Sequence, residues 1–237
     1  MLGYHHMKEV LIGNNIFLFL KKKTANTLVV FSHSLSDTHE SDLAKKITQK
    51  LYNAGIAVAL YDFSFTKKGV KPSGDLSREV NELDFVVSTV SKKIQPEKIV
   101  LIGKSLGGVV SAIYCSKNVS ATILSVFIIG FPFKLGFPPR LELLKDQDPI
   151  LPDYVSQYDN LFKSIKTRVF VIQGDSDDLG EIDECKDFFI KHNNCTLNIV
   201  ENSTHGFTSP DNKNITHYDK CAELILDKIN TYENKQK

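Results

Sequence analysis

From residue 27 onward, short β-branched runs take turns with stretches whose apolar side chains recur three and four residues apart. Strands read from the runs at 27–32, 56–61, 98–102, 123–129, 168–172 and 196–200. Helices read from 41–53, 75–93, 106–116, 182–192 and 217–232, with a further one around 153–163. A helix between two strands lets them pair in parallel, which a short turn cannot do. Repeated along the chain, such units make an α/β fold, a mainly parallel twisted sheet with helices on both faces. Local punctuation agrees: Ser41 stands where a helix N-cap belongs, and Gly55 follows the end of that helix.

The rest of the chain fits one such domain. Residues 9–12 and 16–20 read as a hairpin turning at Gly13, Asn14 and Asn15, residue types that tolerate positive φ. Residues 1–6, with two histidines before Met7, read as a cloning remnant, and 234–237 as a frayed tail. The 237 residues, 42% of them hydrophobic, suffice for one sizeable core over 7–233. A net charge of +1 with scattered lysines gives no basic stripe, so neither nucleic acid nor a membrane surface is an expected partner. Cys115, Cys185, Cys195 and Cys221 lack C-x-x-C spacing and no secretory apolar segment precedes them. Free thiols in the cytoplasm are therefore expected.

The run I-V-L-I at 99–102 stops at Gly103, and K-S-L-G-G follows. A strand, a tight turn and a helix in that order, with G-x-S-x-G at the turn, form a nucleophile elbow. Its serine takes a strained backbone conformation that lifts the hydroxyl above the sheet, and flanking glycines spare a clash with the neighbouring backbone. Ser105 is the candidate nucleophile. The pattern alone is weak, so its flanks and the other strand ends carry the weight. Neither G-x-G-x-x-G nor G-x-x-x-x-G-K-[ST] is present, and no nucleotide or other cofactor is expected.

In an open sheet of this kind, ligands bind beyond the carboxyl ends of the strands. After 168–172 comes Q-G-D-S-D-D-L-G, and after 196–200 comes E-N-S-T-H-G-F. The chain thus offers a serine, then aspartates, then a histidine at three separate strand ends. A serine hydroxyl needs an imidazole to take its proton, and the imidazole needs a carboxylate to hold its tautomer. His205, close behind its strand and followed by Gly206, is preferred to His217, which suits the start of the last helix. Asp177, three residues past Gly174, is preferred to Asp178, with Asp175 read as a turn residue. No metal site is expected from these carboxylates, since partner ligands elsewhere are wanting.

On G-K-S-L-G-G at 103–108, G-D-S-D-D at 174–178, S-T-H-G-F at 203–207 and F-S-H-S-L at 31–35, the chain resembles the α/β hydrolase superfamily. It is similar in plan to small single-domain serine hydrolases of the dienelactone-hydrolase type. The resemblance implies a Ser105–His205–Asp177 triad cleaving a small-molecule carboxylic ester or thioester through an acyl-enzyme. It also places the backbone N–H groups of Leu35 and Leu106 at an oxyanion hole. Ser34 departs from the family glycine in that loop, which suggests a strained or altered hole. That departure motivates the alternative of a non-catalytic hydrolase-fold protein that binds a ligand or partner. The segment after Gly130 is too short for a full cap domain, so an open cleft bordered by Phe63, Phe65, Phe131, Phe133 and Phe207 is expected. Lys104 beside the nucleophile is expected to face solvent rather than a substrate carboxylate.

Overall fold

The computed structural model describes residues 7, 9–12, 15–21, 25–133 and 152–234. Among these, one sheet runs through eight strands: β1 (Glu9–Ile12), β2 (Ile16–Phe19), β3 (Thr27–Ser32), β4 (Ala57–Tyr61), β5 (Lys98–Lys104), β6 (Ile123–Ile129), β7 (Arg168–Gly174) and β8 (Cys195–Val200). Their order in space is β1-β2-β4-β3-β5-β6-β7-β8. The expected hairpin pairs Ile12 with Ile16 and lies antiparallel against β4, while every pairing from β4 to β8 is parallel. Six α-helices belong to the described residues: α1 (Asp42–Asn53), α2 (Ser77–Ile94), α3 (Leu106–Lys117), α4 (Pro152–Ser164), α5 (Ile182–Phe189) and α6 (Tyr218–Asn234).

Strict alternation along the strands builds a core on each face. Leu28, Val30, Leu101, Ile128 and Val171 point to one side, where α2, α3, α4 and α5 supply Val87, Val110, Phe162 and Phe189. Val29, Phe31, Ile102, Ile129 and Ile172 point to the other, against Ile47 of α1 and Ile225 of α6. Strands apolar on both faces are what a covered parallel sheet requires. From β3 the chain crosses to β4 on one side and later returns to β5 on the other. The crevice where the order reverses lies beyond the paired residues Ser32 and Gly103 at the ends of β3 and β5.

The elements depart from the sequence expectation mainly at their ends. β5 and β7 each run two residues further, because Gly103, Lys104, Gln173 and Gly174 continue the ladder although the apolar pattern has stopped. α5 ends at Phe189, where the N–H groups of Lys191 and His192 turn back to the carbonyls of Phe188 and Phe189. α6 continues to Asn234, one residue into the stretch expected to fray. The expected remnant at 1–6, the hairpin turn at 13–14 and the short insertion at 134–151 lie outside the described residues. Among the described residues, no helix is long and apolar enough to cross a membrane.

Candidate active site

Ser105 links β5 to α3 with φ 51° and ψ −115°, a conformation that costs an L-residue energy and persists where packing enforces it. Its N–H donates to the Ile129 carbonyl at 2.9 Å, pinning the turn to β6. The glycines around it are there for close approach. A Cβ on Gly103 would stand 2.2 Å from the Gly107 oxygen, and one on Gly107 2.3 Å from the Ser32 oxygen. The second contact also shows that the loop after β3 abuts the start of α3.

Three strand ends meet at one hydrogen-bonded chain. Ser105 Oγ lies 3.0 Å from His205 Nε2, and His205 Nδ1 lies 2.8 and 3.0 Å from the two Asp177 oxygens. With Nδ1–H donated to the carboxylate, Nε2 is the acceptor that faces the serine hydroxyl. All three side chains are buried. Asp177 is held by further donors: the N–H groups of Leu179 and Gly180 at 2.8 and 3.2 Å, and Gln173 Nε2 at 2.7 Å. Asp178 is exposed. Asp175 instead receives the N–H groups of Asn202 and Ser203 and so fastens the loop that carries His205. Burial acts to raise its pKa, but those two N–H groups together with the Ser176 hydroxyl and N–H hold the carboxyl below its ordinary value. His217 accepts the Cys221 N–H at its carbonyl and opens α6, away from the chain of three.

Gln173 was not singled out from the sequence. It is buried at the end of β7, where its Oε1 accepts the Phe131 N–H while its Nε2 donates to Asp177 and to the Gly180 carbonyl. A lone amide closing the run V-F-V-I-Q was the available sign. Gly130 was missed too. It has φ 64°, and a Cβ there would lie 2.9 Å from Lys104 Nζ and 3.2 Å from His205 Cε1, so only glycine lets these two side chains approach β6.

The loop after β3 corrects two expectations about the hole. The Phe63 N–H donates to His33 Nε2 at 3.0 Å, so Nδ1 carries the proton and donates to the Ser34 carbonyl at 2.7 Å. Burial holds His33 below the ordinary histidine value despite the opposing pull of that carbonyl. Ser34 is absent from the described residues with positive φ, so no glycine is required there. Its hydroxyl donates to Asp37 Oδ2 at 2.6 Å and is thus engaged within the loop. Leu35 packs half-buried against the core, and Leu106 begins α3, where first-turn N–H groups have no acceptor within the helix.

The expected aromatic border is not a border. Phe63, Phe131 and Phe207 each have 0% exposure and fill the cores, Phe131 within a cluster of Phe133, Tyr158, Phe162 and Phe189. Phe65 is buried beside Phe63 and His33. Abundant phenylalanine in post-strand positions was needed to seal the ends of the cores rather than to wall a cleft. Lys104 is likewise buried rather than solvent-facing, with Nζ 5.5 Å from the centre of the Phe207 ring. The space next to His205 is a cavity of about 380 Å³ with mostly polar walls, among them Ser36, Asp37, Asp42, Thr208 and Tyr218. No group of three or more His, Cys, Asp or Glu residues among those described is placed to hold a metal ion.

The strand order, the turn at Ser105 and the three strand ends that meet there define an α/β hydrolase architecture. Residues 25–232 match the sequence model of the Alpha/beta hydrolase domain family, and the chain belongs to that family. Among solved structures, it is similar to Est1E of Butyrivibrio proteoclasticus with ferulic acid bound, at a TM-score of 0.70 and 18% identity over 94% of each chain. It is similar to the Pyrococcus furiosus esterase Pf2001, at 0.70 and 16%, covering 97% of this chain and 92% of that one. It also resembles a monoacylglycerol lipase of Paleococcus ferrophilus, at 0.67 and 16%, covering 92% and 99%. Identities this low carry the fold. Comparison with curated protein sequences gives no match.

Proposed function

We propose that the chain is a serine hydrolase that cleaves a small carboxylic ester or thioester through an acyl-enzyme. The observation that carries this reading is the hydrogen-bonded sequence Ser105, His205, Asp177, buried beside a cavity at the carboxyl ends of the strands. As Ser105 Oγ bonds to the substrate carbonyl carbon, its proton passes to His205 Nε2 and the C=O π pair moves onto oxygen. The N–H groups of Leu35 and Leu106 face that oxyanion, the second aided by the positive end of the α3 dipole. Asp177 stabilises the imidazolium, which then protonates the departing oxygen or sulfur as its bond to carbon breaks. Water attacks the acyl-enzyme, gives its proton to His205, and Ser105 leaves with that proton while the acid departs. These steps call on no cofactor. The esterase and lipase names of the structural relatives agree with an ester as substrate.

A fluorophosphonate probe tests the reading. Wild-type protein is expected to be labelled at Ser105, and Ser105→Ala to lose both labelling and turnover of an activated ester by about 10⁴-fold or more. Near-normal turnover in Ser105→Ala would show that Ser105 is not the nucleophile. A wild-type protein that neither reacts with the probe nor hydrolyses esters would leave the fold as a ligand-binding scaffold.

A further inference from the structure

The cavity adjoining His205 constrains the part of the substrate that leaves. We infer that it receives the alcohol portion of an ester, and that this alcohol is a neutral polyol, glycerol-sized to monosaccharide-sized. The inference rests on the hydrolase reading of the same site, because it takes His205 as the acid that protonates the departing oxygen. A leaving group must then stand on the His205 side of Ser105, and the cavity there is walled by His205 and Gly206.

The walls are rich in hydrogen-bonding groups. Ser36, Ser41, Thr208 and Tyr218 supply hydroxyls and Asp37 and Asp42 supply carboxylates, while Leu43 is the aliphatic member. A hydrocarbon chain or unsubstituted aryl ring in this space would strip water from those groups without replacing its hydrogen bonds. The walls carry charge of both signs, so an ionic alcohol of either sign meets a like charge there. An anionic alcohol would meet Asp37 and Asp42, and a cationic one would meet Lys104, which is buried in the wall beside His205. A neutral molecule with both donors and acceptors can use all three. Tyr218 shows how closely these groups converge: burial first, then the charges of Asp42 and Asp37, raise its phenol above the ordinary value, so it stays a donor. A space of about 380 Å³ gives room for an alcohol of glycerol to monosaccharide size.

The test compares glyceryl monobutyrate with propyl butyrate, which share the acyl group and the three-carbon alcohol skeleton. Each kcat/KM is divided by the hydroxide-catalysed rate of the same ester to remove leaving-group reactivity. The glyceryl ester is expected to be favoured at least tenfold, and Tyr218→Phe and Thr208→Val, each removing one hydroxyl, to lower that ratio about threefold or more. Equal normalised values, a preference for the propyl ester, or a ratio untouched in both variants would overturn the inference and leave the hydrolase reading intact. If the wild type hydrolyses no ester at all, the hydrolase reading fails. The cavity is then judged by NMR titration with glycerol and 1-propanol. Shifts of the Gly206 and Thr208 amides with glycerol alone support the polyol site, and equal or absent shifts refute it.

Discussion

Four donors converge on Asp177: the side-chain nitrogens of His205 and Gln173 and the backbone N–H groups of Leu179 and Gly180. In Asp177→Asn the new amide oxygen satisfies at best part of that set, and its NH2 group meets a donor at Gln173 or His205. The imidazole is then driven to the opposite tautomer, with Nε2 protonated and unable to accept from Ser105. Turnover of an activated ester is expected to fall by about 10³-fold or more in Asp177→Asn, while the exposed Asp178→Asn stays within about twofold of wild type. Steady-state kinetics beside circular dichroism checks this, and equal losses at the two positions would refute the assignment. The spacing in G-D-S-D-D brought three aspartates into one loop, and chemistry demanded that one face the histidine. Which one depended on the backbone turn at 177–180, whose hydrogen bonds leave no trace in residue type. The phenylalanines mark the opposite limit. Hydrophobicity alone does not distinguish a side chain that lines a cleft from one that seals a core, and Phe63, Phe131 and Phe207 proved to be seals.

Elements were legible wherever a strand is buried on both faces, because a dense β-branched run has few other uses. β3 and β6 begin and end as expected. Ladder ends carried by Gln173 or Lys104 were not legible, since polar residues there serve the site rather than the core. Strand order was also hidden: β3 meets β4 on one edge and β5 on the other through backbone groups common to all its residues, so nothing in its side chains names its neighbours. The elbow, in contrast, advertises its packing through glycine. A Cβ on Gly103 meets the Gly107 backbone at 2.2 Å, which cannot rotate away, whereas one on Gly108 meets Ile128 Cγ2 at 2.6 Å, which a substitution can remove. Gly103→Ala is expected to cost about 3 kcal/mol and to lower the melting temperature by about 10 °C. Gly108→Ala is expected to cost about 1–2 kcal/mol alone and less when added to Ile128→Ala, where the Gly103 oxygen 3.1 Å from the new Cβ still remains, a coupling that a double-mutant cycle measures. Gly103→Ala melting within 2 °C of wild type, by about the resolution of the experiment, would contradict so close a contact.

At the scale of the whole molecule, one sheet divides two cores, and neither face can keep its strands if the other loses its helices. The cysteines report on both sides. Cys115 in α3 and Cys185 in α5 belong to one core and Cys221 in α6 to the other, and all are free thiols. Burial pushes each of the three up to about 12, with the charges of Asp177 and Glu184 adding to the effect at Cys185 and Lys104 opposing it at Cys221. At pH 8 a thiol of that kind is about one part in 10⁴ thiolate, against roughly a quarter for an unfolded cysteine, so alkylation reads unfolding and little else. Iodoacetamide in increasing urea, with the labelled peptides quantified by mass spectrometry, is expected to give one midpoint for Cys115, Cys185 and Cys221, coincident with the loss of far-ultraviolet circular dichroism. The shared sheet is the reason, since β3, β5, β6 and β7 contribute alternate residues to both cores and cannot unpack from one side alone. Labelling of Cys221 at a clearly lower urea concentration than Cys115 and Cys185 would mean that α6 leaves its face independently. Because α6 begins beside the loop that carries His205, with the His217 N–H bonded to the Phe207 carbonyl, ester turnover should then be lost at that same lower midpoint.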